Sequence, residues 1–397
     1  MTEAAVWRSG AVLMGGNASE QGADLAYSRE PNWAKSSLAE WYLVTPLDCD
    51  FLADAYSRPM ALSEFPAADW ASGNVPEGTN RHECDRLISQ LVNRPQERGE
   101  THALLVVANG VVVSEWYGAG YSAQSTLISW SIAKSITHAL IGCAVDDGLL
   151  SREQNNLLPE WRNDDRAQIT LHDLLTMRSG LSWVEDYVDG ETSDVIDMLF
   201  GEASKVGDHA AFAASKHLVQ RPGTHWEYSS GTTNILCRIL AHALGEHPGS
   251  HAIVERFMQQ RLFDPIGMRA TPKFDKVGTF VGSSFVYATA RDFARFGYLY
   301  LNGGRWGEQQ VVSQEWVNDA SLAIAIDPVS GMGYSTQWWT WPDDSGSMIG
   351  HGYEGQLVWV SPRRNVVVVH LGKTSEPHVD PLRRLVARVI QQFPAES

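Results

Sequence analysis

The sequence predicts an α/β fold of the α+β type: an antiparallel sheet flanked by helices, with an inserted mainly helical domain. Runs of β-branched residues occur near residue 105 and again near residue 360, whereas helical patterns dominate the chain between them. Strands from both ends of the chain can share one sheet if the segment between them packs as its own layer. The length of 397 residues is sufficient for two domains.

The division that we expect has three parts. An irregular arm, residues 1–80, is rich in Trp, Pro, Ser and Ala and wraps the core. Residues 81–150 and 330–397 form the sheet-containing α/β domain, and residues 151–329 form the mainly helical domain.

The first elements after the arm are a helix and a hairpin. Apolar residues recur at helical spacing over 82–95. Two β-branched runs then flank Asn109-Gly110, a pair that accepts the positive φ angles of a tight hairpin turn. We therefore expect strands at about 102–108 and 111–117.

A buried helix is predicted next, from about Ser131 to Asp147, with Gly148 as its stop signal. Its residues are small or apolar nearly all round, so neighbours should pack on every side. Further along, Thr170 and Asp173 have the spacing of a capping box at a helix start.

The end of the chain supplies the remaining strands. GQLVWVSP and NVVVVHLG are two strand-like runs joined by a short turn, and a last helix is expected at about 380–392. Together with the early hairpin, these runs complete the predicted sheet.

The composition excludes several classes of partner. The formal net charge is −16 and no basic stripe occurs, so we expect no nucleic-acid or anionic-membrane partner, because phosphate binding requires clustered Lys and Arg. No run of 18 apolar residues predicts a membrane-spanning helix. A small molecule is the expected partner, and a homodimer is an assembly that the sequence allows.

The cysteines and the first residues favour the cytoplasm. The four cysteines are far apart, without the spacing of a disulfide framework or zinc site, and no His-Glu-x-x-His motif occurs. We therefore expect no metal or organic cofactor, and free thiols suit a reducing compartment. The first 21 residues lack the basic and apolar regions of a signal peptide.

Ser131 and Lys134 are the strongest candidates for chemistry. Residues three apart share a helix face, so the amine can approach the hydroxyl, and the helix N-terminus favours an alkoxide. Desolvation in an apolar segment lowers the pKa of a lysine toward that of a neutral base. Of seven lysines, only Lys134 has a serine three residues before it. A surface pair on an amphipathic helix is the alternative, which this nearly uncharged helix disfavours.

Two further segments could complete such a site. Tyr228 follows a Pro-Gly loop and precedes a helix, so its phenol could enter a cleft and pass a proton to a leaving group. The glycine-rich run 350–356 precedes a strand, and an N–H there could form an oxyanion hole with that of Ser131. Taken singly, each has an ordinary alternative: a core tyrosine and a turn that leads into a strand.

These segments together resemble the serine β-lactamase and penicillin-recognising family over about residues 80–390. Ser131-Ile132-Ala133-Lys134 is similar to its Ser-x-x-Lys, and Tyr228-Ser229-Ser230 to the Tyr-x-Asn of class C enzymes. His351-Gly352-Tyr353 stands near the place of Lys-Thr-Gly. The segments LLTMRSGL and ARDFARFGYLYLNGG also match. The resemblance implies the β-lactamase/transpeptidase-like fold.

Within that family the chain is most similar to 6-aminohexanoate-dimer hydrolases and to β-lactamase-like carboxylesterases. The supporting stretches are 185–189, 337–339 and 352–356. The resemblance implies that Ser131, Lys134 and Tyr228 are catalytic. It assigns the oxyanion hole to the N–H groups of Ser131 and Tyr353, and substrate contacts to Tyr187, Asp194, Trp338, Trp339, His351, Gly352 and Glu354.

Two departures from the family pattern limit the activity that we expect. Ser230 replaces the Asn of Tyr-x-Asn, and no Lys-Thr-Gly occurs, which removes the usual anchor for a β-lactam carboxylate. We therefore predict an amidase or esterase for small linear substrates that forms an acyl-enzyme on Ser131. A carboxylesterase without significant amidase activity is the first alternative. A β-lactamase, a D-aminopeptidase and a non-catalytic binder are less favoured, and a Ser-His-Asp hydrolase lacks its Gly-x-Ser-x-Gly motif.

Overall fold

One large sheet takes its strands from both ends of the chain. The computed structural model describes residues 65, 69–187, 193–343 and 345–395. Its strands, in chain order, are β1 (Glu100–Ala108), β2 (Val111–Tyr117), β3 (Leu127–Ile128), β4 (Ala270–Pro272), β5 (Val286–Ala288), β6 (Arg305–Trp306), β7 (Gln309–Gln310), β8 (Ala325–Ile326), β9 (Gly333–Tyr334), β10 (Trp339–Thr340), β11 (Met348–Gly352), β12 (Gln356–Ser361) and β13 (Val366–Lys373).

The main sheet is antiparallel throughout, in the order β2-β1-β13-β12-β11-β10-β9-β8. The early hairpin therefore lies beside the last strand, as the sequence predicts. Its turn is at Asn109 and Gly110, which have φ angles of 51° and 80°. These positive angles are those of the turn type that Asn-Gly favours.

Helices cover both faces of the sheet. They are α1 (Arg81–Val92), α2 (Ile132–Asp146), α3 (Leu171–Leu175), α4 (Asp194–Phe200), α5 (Glu202–Val206), α6 (His209–Ala214), α7 (Ser230–Ala243), α8 (Ala252–Met258), α9 (Asp264–Ile266), α10 (Ala290–Leu301), α11 (Gln314–Ser321) and α12 (Val379–Ile390). Within the described ranges, each helix is too short or too polar to cross a membrane.

Alternation along the strands divides the core between the two faces of the sheet. On β1, Leu104 and Val106 belong to one buried cluster, and Leu105 and Val107 to the other. Successive side chains of a strand point to opposite faces, so two apolar layers require a strand that is apolar at every position. The first cluster is closed by α1 and α12, and the second contains α2 and α10.

The helix α2 runs through the interior. It is buried from Ile132 to Ala144 and packs against β11 of the sheet and against α7. Gly148, with a φ of 71°, follows its C-cap, as predicted. The predicted capping box is also present, since Thr170 and Asp173 exchange hydrogen bonds at the start of α3.

The prediction of an antiparallel sheet flanked by helices is confirmed. All of the described residues belong to one compact unit, 48–397. The division into a sheet domain and an inserted helical domain therefore stays a prediction, and the proposed arm, 1–80, lies mostly outside the described residues. From its end, Trp70 is buried and donates its indole N–H to the Arg291 carbonyl.

Short strands are the main feature that the sequence does not predict. The strands β3, β5 and β4 form a second, three-stranded sheet, and β6 pairs with β7. Each contains only two or three residues. Alternation over so few positions cannot be recognised in a sequence, so the sequence predicts mainly helices and loops in the middle of the chain.

Candidate active site

The first turn of α2 brings Ser131 and Lys134 together. Ser131 is the N-cap residue, but its hydroxyl makes no capping hydrogen bond. Instead, its Oγ lies 3.0 Å from the Nζ of Lys134. The lysine is 1% exposed, so its amine is inside the protein and next to the half-buried serine, as the helical spacing predicts.

Three oxygen atoms surround the amine of Lys134. Besides Ser131, they are the Ser230 Oγ at 2.9 Å and the Ser283 carbonyl at 3.0 Å. Burial lowers the pKa of Lys134 to about 8, against the opposing effect of the Glu185 carboxylate. An amine with this pKa is partly neutral near physiological pH and can accept a proton.

Tyr228 joins this pair where the chain enters α7. The centre of its ring is 4.8 Å from the Lys134 Nζ. Burial and the nearby Glu185 raise the pKa of the Tyr228 phenol, against hydrogen bonds with Ser131 and Trp339. The structure thus gathers Ser131, Lys134 and Tyr228 around one point, with the phenol in its protonated form.

The backbone before Ser131 is held in an unusual conformation. Trp130 has a φ of 42°, which is rare for a bulky residue and typical of functional sites. Gly352 of β11 lies against it: a Cβ at this position would be 2.4 Å from the Ser129 carbonyl oxygen and 3.0 Å from the Trp130 Cβ. Only glycine fits here, and it places the end of β11 beside Ser131.

The strand β11 has a free edge at this point. Its pairing with β10 includes Met348 and Ile349, whereas Gly350–Gly352 pair only with β12. The N–H of Ser131 also donates to no protein acceptor within the described residues. A carbonyl oxygen bound near Ser131 could therefore meet N–H groups from both segments.

His351 and Glu354 stand before and after Gly352 in the sequence. Side chains at 350 and 352 would face Ile132 and Trp130, so His351 projects from the opposite face of β11. It lies near Trp339, and burial together with Arg383 lowers the pKa of His351 to about 3. Glu354 has a φ of 61°, and its carbonyl accepts the Thr374 N–H. His351 is thus directed away from Ile132 and Trp130, and its contact with a substrate stays a prediction.

A cleft of about 440 Å³ opens beside Tyr228. Its lining combines aromatic and acidic side chains with two valines: Trp183, Val184, Glu185, Asp186, Trp226, Glu227, Tyr228, Asp327, Val329 and Trp339. Trp339 thus walls the cleft. Trp338 is fully buried against Phe296 and Tyr300, so a core role replaces the pocket role expected for it.

Exposed aromatic rings form a second surface near Ser131. The ring of Tyr353 lies 4.8 Å from that of Tyr187, in a stacked arrangement, and 5.6 Å from that of Trp130, edge on. Phe200 and Phe285 extend the surface from Trp130. Because Phe200 is 55% exposed and Tyr353 is 42% exposed, this aromatic surface is open to an apolar group.

Asp194 contacts two of the protein's own hydrogen-bond donors. Its carboxylate forms an ion pair with Lys216 and accepts the Val184 N–H, at the start of α4. Each oxygen thus accepts from one of the protein's own donors, and the binding of a substrate ammonium group by Asp194 stays a prediction.

Glu185 is the residue whose part in the site the sequence analysis missed. Its carboxylate accepts hydrogen bonds from the N–H and hydroxyl of Ser230, one layer behind Lys134. It stands 45 residues before Ser230, and no local spacing links the two. The described residues contain no group of three or more His, Cys, Asp or Glu side chains that could hold a metal ion.

Two matches relate the sequence to known proteins. The model of the β-lactamase family matches residues 84–392. A 6-aminohexanoate-dimer hydrolase of Paenarthrobacter ureafaciens is 27% identical over 310 residues, which cover 74% of this chain and 78% of that protein.

Solved structures show the same fold. A Bacillus anthracis protein with a provisional assignment as a 6-aminohexanoate-dimer hydrolase has a TM-score of 0.66 at 22% identity, over 82% of this chain and 89% of its own. The octameric penicillin-binding protein homologue of Pyrococcus abyssi has a TM-score of 0.60 at 18% identity, over 79% and 78%. Since the family model covers well over half of the sequence, the chain belongs to the β-lactamase family, as its motifs predict.

Proposed function

We propose that this protein is a serine hydrolase that cleaves amide or ester bonds of small linear substrates through an acyl-enzyme on Ser131. The observation that carries the proposal is the buried amine of Lys134, 3.0 Å from the Ser131 hydroxyl oxygen. Burial lowers the pKa of Lys134 to about 8, so the amine can act as a base near neutral pH.

Acylation begins when neutral Lys134 takes the Ser131 proton. The serine oxygen attacks the substrate carbonyl, and the N–H groups of Ser131 and Tyr353 stabilise the resulting oxyanion. Tyr228 passes a proton to the departing amine or alcohol and regains one from Lys134. The leaving group departs neutral, and the acyl group remains on Ser131.

Deacylation reverses these transfers with water in place of the leaving group. Lys134 and Tyr228 together remove a proton from the water, which attacks the acyl carbonyl. When the ester bond to Ser131 breaks, the serine oxygen regains its proton from Lys134. The products are a carboxylic acid and the free enzyme, without a metal or organic cofactor in any step.

The similarity to a 6-aminohexanoate-dimer hydrolase supports a linear amide as substrate. By analogy, Tyr187 would contact the amide nitrogen, and Trp339 would wall the pocket from the cleft side. The stacking of Tyr187 on Tyr353, at 4.8 Å, supports a place for Tyr187 close to the reacting bond.

The test is hydrolysis of a p-nitrophenyl acyl ester by Ser131→Ala. We expect turnover to fall at least 1,000-fold, because the residual rate without the nucleophile comes from binding and the oxyanion hole alone (about 10³–10⁴ over water in comparable enzymes). Ser89→Ala is the matched control, since Ser89 is exposed on α1 beyond the other face of the sheet. Retained turnover in Ser131→Ala with an intact fold contradicts the proposal.

A carboxylesterase without significant amidase activity is the second candidate. The exposed rings of Phe200 and Tyr353 beside Ser131 favour it, because they can pack against an apolar acyl chain without recognising an amide. The ratio of kcat/KM for a short acyl ester to that for an aminohexanoate dimer separates the two. A measurable rate on the dimer supports the amidase, and turnover of esters alone supports the esterase.

A further inference from the structure

Glu185 is linked to Lys134 through one hydroxyl, that of Ser230, and the mechanism above does not use it. Its two oxygens accept four hydrogen bonds. The N–H and hydroxyl of Ser230 donate at 2.8 and 2.5 Å, the indole N–H of Trp183 at 2.5 Å and the phenol of Tyr187 at 3.4 Å. Donors on both sides thus hold the carboxylate in one orientation.

This arrangement fixes the direction of the hydrogen bond between Ser230 and Lys134. A hydroxyl has one proton, and an ionised carboxylate can only accept. The Ser230 proton is therefore committed to Glu185, and toward Lys134, 2.9 Å away, the hydroxyl can act only as an acceptor. The Ser283 carbonyl, 3.0 Å from the same amine, is also only an acceptor.

A neutral lysine amine has two hydrogens and one lone pair. Ser230 and Ser283 accept the two hydrogens, so the lone pair is left for the third neighbour, Ser131. The Ser131 hydroxyl must then donate to Lys134, which is the direction of proton transfer that activates a nucleophile. When Lys134 becomes an ammonium, the same three oxygens accept its three hydrogens.

We propose that Glu185 is a positioning residue that, through Ser230, directs the lone pair of Lys134 at the Ser131 hydroxyl. This inference rests on the proposed function, because it concerns the step in which Lys134 takes the Ser131 proton. No proton leaves Glu185 or Ser230 in that step: one O–H bond breaks at Ser131 and one N–H bond forms at Lys134.

Glu185→Gln tests the direction of the hydrogen bonds between Glu185, Ser230 and Lys134, with almost no change in the shape of the side chain. The Gln oxygen would remain with the two N–H donors, Trp183 and Ser230, and its amide N–H would then face the Ser230 hydroxyl. Ser230 would have to turn its proton toward Lys134 and occupy the lone pair. We expect kcat to fall about 100-fold, within the range for loss of a general base.

The pH profile separates this role from a merely structural one. The negative charge of Glu185 raises the pKa of Lys134, so its removal should move the acid limb of kcat/KM to lower pH. That shift alone would increase activity at pH 6, because more of the lysine is neutral. A fall in the plateau together with a downward shift of the limb therefore indicates the loss of hydrogen-bond direction.

Two further variants complete the test. Glu160→Gln is the matched control, since Glu160 is an exposed glutamate paired with Arg238, and it should keep wild-type kcat. Ser230→Ala removes the bridging hydroxyl and serves if Glu185→Gln does not fold. We expect it to lower kcat at least tenfold, and the double variant to lose no more than the worse single one.

The outcomes distinguish this proposal from the proposed function. If Ser131→Ala abolishes turnover but Glu185→Gln keeps wild-type kcat, the role of Glu185 is wrong and the hydrolase proposal stands. The same follows if the plateau of the Glu185→Gln profile falls but its acid limb stays at the wild-type pH. It also follows if the double variant loses kcat by the product of the losses in Glu185→Gln and Ser230→Ala. If Ser131→Ala retains turnover, the proposed function itself fails.

Discussion

At the scale of single residues, the site depends on the burial of one amine, that of Lys134. Lys134 is buried with three oxygen neighbours and forms no direct ion pair with any described residue. Its charged form therefore loses hydration that these dipoles and the negative charge of Glu185 replace only in part. A surface lysine with the same neighbours would stay protonated and could not act as a base. Lys134 is therefore a candidate base because its amine is buried in the interior of the protein.

The pH dependence of hydrolysis should report this lysine. Burial lowers the pKa of Lys134 to about 8, and only the neutral amine accepts a proton. We expect kcat/KM for a neutral p-nitrophenyl ester to rise about tenfold per pH unit below pH 8 and to level off above it. Since burial raises the pKa of Tyr228, the plateau should extend beyond pH 9.

Lys134→Arg is the matched variant for this prediction. An arginine keeps the charge but cannot lose its proton, so turnover should be lost across the whole range. Circular dichroism at each pH would show that the fold is unchanged. A profile that is flat from pH 6 to pH 9 would contradict the assignment of Lys134 as the base.

At the scale of elements, the site lies where the first turn of α2 meets the end of β11. The approach is close enough that Gly352 has no room for a side chain beside Ser129 and Trp130. The positive φ of Trp130 turns the chain sharply before Ser131. A strand edge and a helix N-terminus thus meet at Ser131, the proposed nucleophile, so that N–H groups from both can face one oxyanion.

Gly352→Ala should separate these two elements. Its Cβ would lie 2.4 Å from the Ser129 carbonyl oxygen, so β11 must move away from the helix. We expect the free energy of unfolding to fall by about 1–3 kcal/mol and kcat to fall at least tenfold. Chemical denaturation and ester hydrolysis would measure the two effects.

Gly350→Ala is the control on the same strand. There the nearest atom to an added Cβ, the Ser135 Oγ, is 3.3 Å away, so a small shift suffices. Activity should stay within about threefold of wild type, since the change lies away from the oxyanion position. Equal losses in both variants would show that the contact of Gly352 has no special part in the site.

At the scale of the whole molecule, the net charge of the chain and the charged residues that line the cleft have the same, negative sign. The formal net charge of the chain is −16, and the lining of the cleft includes Glu185, Asp186, Glu227 and Asp327 but no Lys or Arg. Clefts lined by one sign of charge concentrate ligands of the opposite sign. The field should therefore disfavour substrates with a carboxylate in this cleft.

Esters of equal length that end in a carboxylate, a neutral group or an ammonium group would test this field. At low ionic strength we expect kcat/KM for the carboxylate ester to be about tenfold below that for the neutral ester, and the gap to narrow with added salt. Glu227→Gln, which removes one exposed cleft charge, should narrow it too. Equal values for all three esters at low salt would contradict the prediction.

The sequence by itself determined those features that depend on local geometry. The hairpin at Asn109-Gly110, the strands around it and the shared helix face of Ser131 and Lys134 all follow from periodicities of two and 3.6 residues. The spacing of three residues was sufficient to predict the contact that the structure shows at 3.0 Å.

Only the tertiary structure decided which distant side chains complete the site. Glu185 and Ser230 are 45 residues apart, and their contact depends on how a loop packs against α7. Strand direction likewise decided that Trp339 walls the cleft whereas Trp338 is buried. Local sequence patterns predict helices, strands and contacts between residues that are close in sequence. Contacts between distant elements depend on how these elements pack, and the residues next to each contact in the sequence do not determine that packing.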